Sequence, residues 1–252
     1  MNKISTKAKI GNNVEIKDFA VIDDDVTIGD NVYIGPCAYI GNGSRIADKV
    51  KIFHGGSIAS HPHSVGFADE ISTVEIGEGT FIKEFSTISR ATKYSYKTIV
   101  GKDCYIMNYV HVAHDNRIGD NVVLTNGVGL GGHVSVGSYT TIGGLVGVHQ
   151  FVHIGEYVMI ESNTKVTKDI PPYILAGRTP LRFMGINYIG LKRSGFPIEV
   201  INQIKDTYRI IYSANQNFKD ALKNLSDEME MTNEVKNIYD FITQSERGIL
   251  PK

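Results

Sequence analysis

Net charge, disulfide-forming cysteine and long apolar runs are all scarce in this chain, and each scarcity removes a class of function. The 252 residues carry 26 basic and 27 acidic side chains, a net charge of −1, so no electrostatic attraction to nucleic acid or an anionic membrane is expected. Only two cysteines occur, Cys37 and Cys104, which argues against a disulfide scaffold. No stretch is long enough and apolar enough to span a bilayer, and residues 1–7 enter the repeat described below with no apolar targeting segment. A cytoplasmic location is expected. A phosphate-binding glycine loop, a nucleophile elbow and a cysteine metal pair are also missing, so the expectation is no cofactor, no metal and no covalent intermediate on the enzyme.

What is present is a period of six. Stepping by six from Ile4 to Val166 visits 28 positions, 25 of them Ile, Val or Leu, where a composition 42% hydrophobic would supply about twelve. A second track lies four places on and is small or β-branched, as at Ala20, Val26, Val32, Ala38, Val122, Val128, Val134 and Val146. Cys104 falls on this track and reads as a buried apolar filler. A period of six fits neither an α-helix nor an amphipathic strand, and it predicts a parallel β-helix of hexapeptides, mainly β in class. Gly, Asp and Asn recur at the corners, as in Ile28-Gly29-Asp30-Asn31 and Ile118-Gly119-Asp120-Asn121, where left-handed dihedrals are cheapest for them. Three hexads per rung would stack residues eighteen apart at a strand spacing of about 4.8 Å.

The β-helix is expected over residues 1–190, with excursions near 60–73 and 93–98, and Pro171-Pro172 is expected to end the hexads. A C-terminal helical domain is expected over 191–252, because the apolar spacing changes to three and four at Ile198, Ile201, Ile204, Tyr208 and Ile211, then at Phe218, Leu222 and Leu225, then at Val235, Ile238, Phe241 and Ile242. About three helices would cap the open core of the coil.

The chemistry gathers where the coil is cleanest. His111, His114, His133 and His149 fall within 39 residues among many glycines. Adding eighteen to His114 gives Gly132, and adding it again gives Gln150; His133 stands one rung above Asp115, and His149 one above Gly131. His114, Asp115, Gly132, His133, His149 and Gln150 should therefore form one patch. His111 has Gly129 and Gly147 above it, which would leave a groove. Such a patch suits acyl transfer, with a neutral imidazole taking a hydroxyl proton and a glycine N–H meeting the oxyanion. His114 is the best base and Gly132 the donor, while Asp115 could orient either His114 or His133. Other readings are a metal-binding β-helix resembling the gamma-class carbonic anhydrases, whose His-x4-His spacing is not matched here, and a purely structural solenoid.

The residues also carry a resemblance. His111-Val112-Ala113-His114-Asp115, Gly131-Gly132-His133-Val134-Ser135-Val136, Val148-His149-Gln150-Phe151, Asp169-Ile170-Pro171-Pro172-Tyr173 and the segment from Gly185 to Phe196 resemble the acyl-carrier-protein:UDP-N-acetylglucosamine O-acyltransferases, which open lipid A synthesis. The resemblance implies a left-handed coil, a homotrimer with active sites between subunits, and direct transfer of a 3-hydroxyacyl chain from acyl carrier protein to the sugar 3-hydroxyl. It implies His114 as general base, Gly132 as oxyanion donor, and His111, His133, His149 and Gln150 as substrate contacts. Asn187 and Arg193 would hold the nucleotide, a guanidinium suiting its diphosphate, and Ser162 would set acyl length. Lys165, Lys168, Arg178, Arg182, Lys192, Lys205 and Arg209 are candidate contacts for the acidic carrier protein.

The chain departs from the family at the acceptor side. Where the family reads Pro-Gln-Asp-Leu-Lys-Tyr this sequence has Pro62-His63-Ser64-Val65-Gly66-Phe67; His-Arg-Gly-Thr becomes Ser89-Arg90-Ala91-Thr92; and Ile189 stands where an acid is expected near the uracil. His61 and His63 could replace the missing groups or be solvated loop histidines, the second being the preferred reading. The departures leave open a second reading, an acyl- or acetyltransferase acting on a different nucleotide sugar, with coenzyme A as a possible donor.

Overall fold

The aliphatic period becomes a three-sided prism. The computed structural model of the chain describes residues 1–213 and 218–252, with the side chains of Lys219 and Glu228 left out. Strands of mostly two residues run along three faces, forming sheets of nine, eight and ten strands. The first face holds His111–Val112, Gly129–Leu130 and Gly147–Val148; the second holds Arg117–Ile118, Ser135–Val136 and His153–Ile154; the third holds Tyr105–Ile106, Val123–Leu124 and Thr141–Ile142. Neighbours along a face are parallel and eighteen residues apart, as in Val123↔Thr141 and Thr141↔Met159. Three hexads per rung is therefore the geometry of the coil, and its hand is left, as in the solved relatives described below.

Both inward tracks are buried. Ile34, Ile52, Ile82, Ile106, Leu124 and Ile142 are fully enclosed, and Ala20, Val32, Val50, Cys104, Val122 and Val128 fill the positions between them. The core is open at its first rungs, where Ile4 and Ile10 are each 38% exposed.

The period of six survives both excursions for a simple reason. Across the first, Ile52 pairs with Ile82 at thirty residues, twelve more than a rung; across the second, Ile82 pairs with Ile106 at twenty-four, six more. Both insertions are multiples of six and both leave from the corner between the first and second faces, between Ser57–Ser60 and Thr73–Ile76 and then between Thr87–Ser89 and Lys97–Val100. That corner also carries His114 and His133, so the two irregular loops of the coil lie over the histidines.

Corner residues in the left-handed region are often not glycine: Phe85, Tyr109, Asp115, His133, Tyr139, Phe151 and Tyr157 all have φ between 53° and 62°. Each such residue costs about 1–2 kcal/mol. Their rings stack with the next rung, Phe85 on Tyr109 at 5.4 Å, Tyr139 on Tyr157 at 4.8 Å and His133 on Phe151 at 4.3 Å. Aromatic pairs contribute about 0.5–1.5 kcal/mol beyond burial, which offsets part of the strain.

The hexad register ends by Pro171-Pro172, as expected, and one more strand continues the coil. Ile174–Gly177 continues the third face, but Met159 pairs with Leu175 at sixteen residues, two short of a rung, and Arg182–Ile186 then returns antiparallel. Four helices follow among the described residues: α1 (Tyr188–Arg193), α2 (Ile198–Ile211), α3 (Phe218–Glu228) and α4 (Asn233–Gln244). The extra one, α1, has six residues, too few to display a helical period. The helical segment is fastened to the last rungs by polar ties. Tyr208 donates to the Pro172 carbonyl at 2.5 Å, Asn237 to Glu156 at 2.8 Å and Ser245 to buried Asp169 at 2.6 Å. None of the helices is long and apolar enough to cross a membrane.

If rung stacking holds the coil together, Ile106→Ala should cost about 2–5 kcal/mol in urea unfolding and Ile10→Ala, at the open end, about 1 kcal/mol or less. Equal losses would contradict this core.

Candidate active site

At the corner between the first and second faces, His114 and Asp115 meet at 2.7 Å between Nδ1 and Oδ2, while His133 Nε2 stands 3.9 Å from the same oxygen. Asp115 therefore orients His114. A carboxylate is acceptor-only, so the imidazole donates from Nδ1 and keeps its lone pair on Nε2. The carboxylate is fully buried, and the two imidazoles are 14% and 13% exposed. Burial pushes the Asp115 carboxyl up; the hydrogen bonds from Ser95, His114 and Thr92 outweigh that and hold it below the usual carboxylate range.

Gly132 lies against the imidazole, as the eighteen-residue rule requires. A Cβ built there would stand 2.6 Å from His114 Cε1 and 2.8 Å from Nε2, so no larger residue fits without moving the ring. Its N–H also lacks a bond that some of its counterparts make. At the same hexad position the N–H groups of Asn12, Lys102 and Gly144 donate to the side chain one rung above, Asp30 at 2.6 Å, Asp120 at 2.7 Å and Ser162 at 3.0 Å. Gln150 occupies that place above Gly132 and does not take the bond; among the described residues nothing accepts from this N–H.

His111 faces the open groove expected of it. Gly129 and Gly147 are its register partners on the next two rungs, and a Cβ on either would meet no atom within 4 Å. Its Nδ1 lies 2.7 Å from Thr87 Oγ1, and its ring stacks on His63 at 5.2 Å. His63 is exposed in its loop, as expected, and the excursion carries it back against the His111 ring. Burial, then the neighbouring His63 and His114, lower the His111 pKa, and burial likewise lowers that of His133. Both shifts favour the neutral ring, and His133 Nδ1 is buried with no hydrogen-bond partner among the described residues. His149, exposed, has its Nδ1 3.0 Å from the Gln150 carbonyl and 3.3 Å from Arg247 Nη2, and Gln150 is exposed beside it.

Three expected site residues lie elsewhere on this chain. Asn187 sits on the corner between the second and third faces, where its amide donates to the Tyr157 carbonyl at 2.9 Å and accepts from Gly190 N–H at 3.2 Å, capping α1. Arg193 ends that helix and is exposed. Ser162 is on the remaining corner, bonded to Gly144. Residues not anticipated include Thr92, Tyr94 and Ser95 from the second excursion, Phe151, and Arg247 from the chain's last segment. These, with Asp115, Arg117 and His133, belong to or border a cavity of about 690 Å³ behind the histidines.

His114, Asp115 and His133 present ligand atoms within 4.8 Å of one another, which invites a metal. The geometry argues against it: Asp115 Oδ2 already accepts from Thr92 N–H, Thr92 O–H and His114, so its lone pairs are committed.

Residues 169–250 match the family model described as UDP-N-acetylglucosamine O-acyltransferase, domain 2, and residues 7–42 and 97–132 match the bacterial transferase hexapeptide model. An acyl-[acyl-carrier-protein]–UDP-N-acetylglucosamine O-acyltransferase from Sulfurihydrogenibium is 41% identical over 99% of this chain and 92% of its own. The chain belongs to the acyl-[acyl-carrier-protein]–UDP-N-acetylglucosamine O-acyltransferase family. A second member, from Halorhodospira halophila, is 39% identical over 98% of this chain and 96% of its own. Among solved structures, the UDP-N-acetylglucosamine acyltransferase from Bacteroides fragilis superposes with a TM-score of 0.96 at 43% identity, covering 99% and 98% of the two chains. The resemblance of the acyltransferase motifs thus extends over the whole fold.

Two outcomes follow from this geometry. In Gly132→Ala the new methyl displaces the imidazole, and kcat for acyl transfer should fall by about a hundredfold with an unchanged fold by circular dichroism; wild-type kcat would contradict the packing. A carboxyl held below its unfolded pKa of about 3.9 adds stability above that value and loses it as pH falls through the folded one. Wild type should therefore exceed Asp115→Asn in urea stability at neutral pH, with the gap narrowing below about pH 4. A gap that widens on acidification would contradict this.

Proposed function

We propose that this protein transfers a 3-hydroxyacyl chain from acyl carrier protein to the 3-hydroxyl of UDP-N-acetylglucosamine, the first step of lipid A synthesis. The observation that carries the reading is the juxtaposition of an oriented imidazole and an uncommitted glycine N–H one rung apart. His114 Nε2 takes the proton of the sugar hydroxyl as its oxygen attacks the acyl thioester carbonyl. The Gly132 N–H meets the developing oxyanion. Collapse of that intermediate forms the ester and expels the carrier's thiolate, which recovers the proton from His114. No bond to the enzyme forms. The full-length relatives carry UDP-N-acetylglucosamine in their names, and nothing favours a different nucleotide sugar.

The glycine groove above His111 suits a substrate lying along the first face, with His133, His149 and Gln150 contacting it at the corner. Asn187 and Arg193 are on another corner of the same chain, so in this reading they serve the nucleotide in a neighbouring copy's site. A homotrimer would allow that. In its favour, the corner between the third and first faces exposes an apolar ladder, Phe19, Phe85, Tyr109 and Leu145, of the kind copies of a chain bury against one another. Ser162 lies on that same corner, where a small side chain would leave room for a fairly long acyl chain. The carrier protein would meet the basic residues near the top of the coil, among them Lys165, Lys168, Arg178, Lys205 and Arg209, and the reaction is placed in the cytoplasm.

Mass spectrometry of the products from a panel of 3-hydroxyacyl carrier proteins offered with UDP-N-acetylglucosamine should show one acylated nucleotide sugar. His114→Ala should form it at least about a hundredfold more slowly. Full activity in His114→Ala, or transfer only to another nucleotide sugar, would overturn the reading.

A further inference from the structure

Four donors from the second excursion converge on one carboxylate. Ser95 donates to Asp115 Oδ1 from its hydroxyl at 2.5 Å and its N–H at 3.1 Å; Thr92 donates from its hydroxyl to Oδ2 at 2.8 Å and from its N–H at 3.2 Å. The Ser95 hydroxyl has a second acceptor in reach, the Lys97 carbonyl at 3.0 Å, but the shorter, charge-assisted bond to the carboxylate is the stronger. The loop that places these groups departs from the coil and returns to it at the same corner. Besides its local contacts with Lys97, the Ser95 hydroxyl reaches across to the residue that holds His114, and that bond is its shortest.

We propose that Ser95, backed by Thr92, is a positioning residue of acyl transfer, pinning the Asp115 carboxylate so that its other oxygen fixes the proton on His114 Nδ1 and aims Nε2 at the sugar hydroxyl. Without the Ser95 hydroxyl, Oδ1 keeps only the longer N–H contacts from Ser95 at 3.1 Å and Thr92 at 3.3 Å, so the carboxylate is held less firmly about its χ2 torsion and aims the imidazole less well. The same bond shares the buried negative charge. Removing it concentrates charge on the oxygens facing His114 and strengthens their hold on the imidazolium. Thr92 is buried and also accepts from the Tyr94 N–H at 3.3 Å, so its loss would disturb the loop. Ser95 is half-buried at the cavity wall and is the cleaner probe.

The inference rests on the acyl-transfer reading, and the test separates the two. Titratable and charged groups facing the dyad are His133 and His111 at the corner, and Arg117, His153, Glu246 and Arg247 around the cavity; all are retained in the variants. Wild type, Ser95→Ala, Ser95→Cys and Ser95→Thr are compared on 3-hydroxyacyl carrier protein and UDP-N-acetylglucosamine. Ser95→Ala should lose roughly tenfold in kcat, with KM for the nucleotide sugar within about twofold. The acidic limb of its kcat/KM profile should move to higher pH. Ser95→Cys, similar in size and a poor donor, should follow Ser95→Ala, whereas Ser95→Thr should restore both rate and profile. A readout that needs no turnover is the low-field proton resonance of the His114–Asp115 hydrogen bond, which should shift or broaden in Ser95→Ala and return in Ser95→Thr. An active wild type whose Ser95→Ala and Ser95→Cys variants keep its kcat, pH profile and resonance would overturn the positioning role. An inactive wild type with a resonance that moves in Ser95→Ala would instead uphold the positioning role and sink the acyl-transfer reading.

Discussion

The parallel ladder of hydrogen bonds between one rung and the next is the constraint on which the histidine corner depends. It fixes residues eighteen apart at a strand spacing of about 4.8 Å, whatever their chemistry. His114 and Gly132 meet because the N–H of His133 bonds the His114 carbonyl at 3.1 Å and the N–H of Phe151 bonds the Gly132 carbonyl at 3.0 Å. Nothing in the side chains themselves brings the imidazole to that amide. The buried aliphatic tracks hold the ladder, and the ladder sets the site; a packing defect in the adjoining rungs is also a defect in the chemistry.

On that frame the polar groups are matched so that one charge is buried and one donor is left over. Asp115 is stripped of water, which disfavours its charge, and the donors of the second excursion reverse the balance. The ionised carboxylate then fixes the imidazole. His111 and His133 are kept neutral by burial and surround the dyad without competing for its charge. Gly132 provides the opposite imbalance. Some corner N–H groups are satisfied by a side chain on the rung above, as at Asn12, Lys102 and Gly144; this one is not, because Gln150 does not fold back onto it. An uncommitted amide beside an oriented base is costly at a position as buried as Gly132, and it has a clear use when a carbonyl arrives.

Much of this was legible in the residues. The rule of eighteen followed from the period of six and placed His114, Gly132 and Gln150 in one column, His133 above Asp115, and an open groove above His111. It worked because each hexad contributes one inward aliphatic and the outward residues inherit its register; even the excursions, twelve and six residues long, left that register intact. What escaped lay outside the period. Thr92 and Ser95 sit in an excursion, where no stacking rule applies, and the choice of Asp115 between His114 and His133 turned on about an ångström. Arg247 reaches His149 from 98 residues away. The stacking of His63, an exposed loop residue, on His111 follows only from the loop's return path. The prolines at 171 and 172 mark the end of the hexads, but nothing in the period announced the strand beyond them, which joins the third face two residues short of a rung.

The account's central claim is that rung height, not sequence proximity, brings base and oxyanion donor to one reacting carbon. A crystal structure of the protein with an unreactive acyl donor analogue and UDP-N-acetylglucosamine tests it most directly. The sugar 3-hydroxyl should lie about 2.6–3.2 Å from His114 Nε2, with the acyl carbonyl oxygen about 2.7–3.1 Å from the Gly132 nitrogen. A carbonyl oxygen bound by any group other than the Gly132 N–H, or a sugar hydroxyl out of reach of His114, would contradict it.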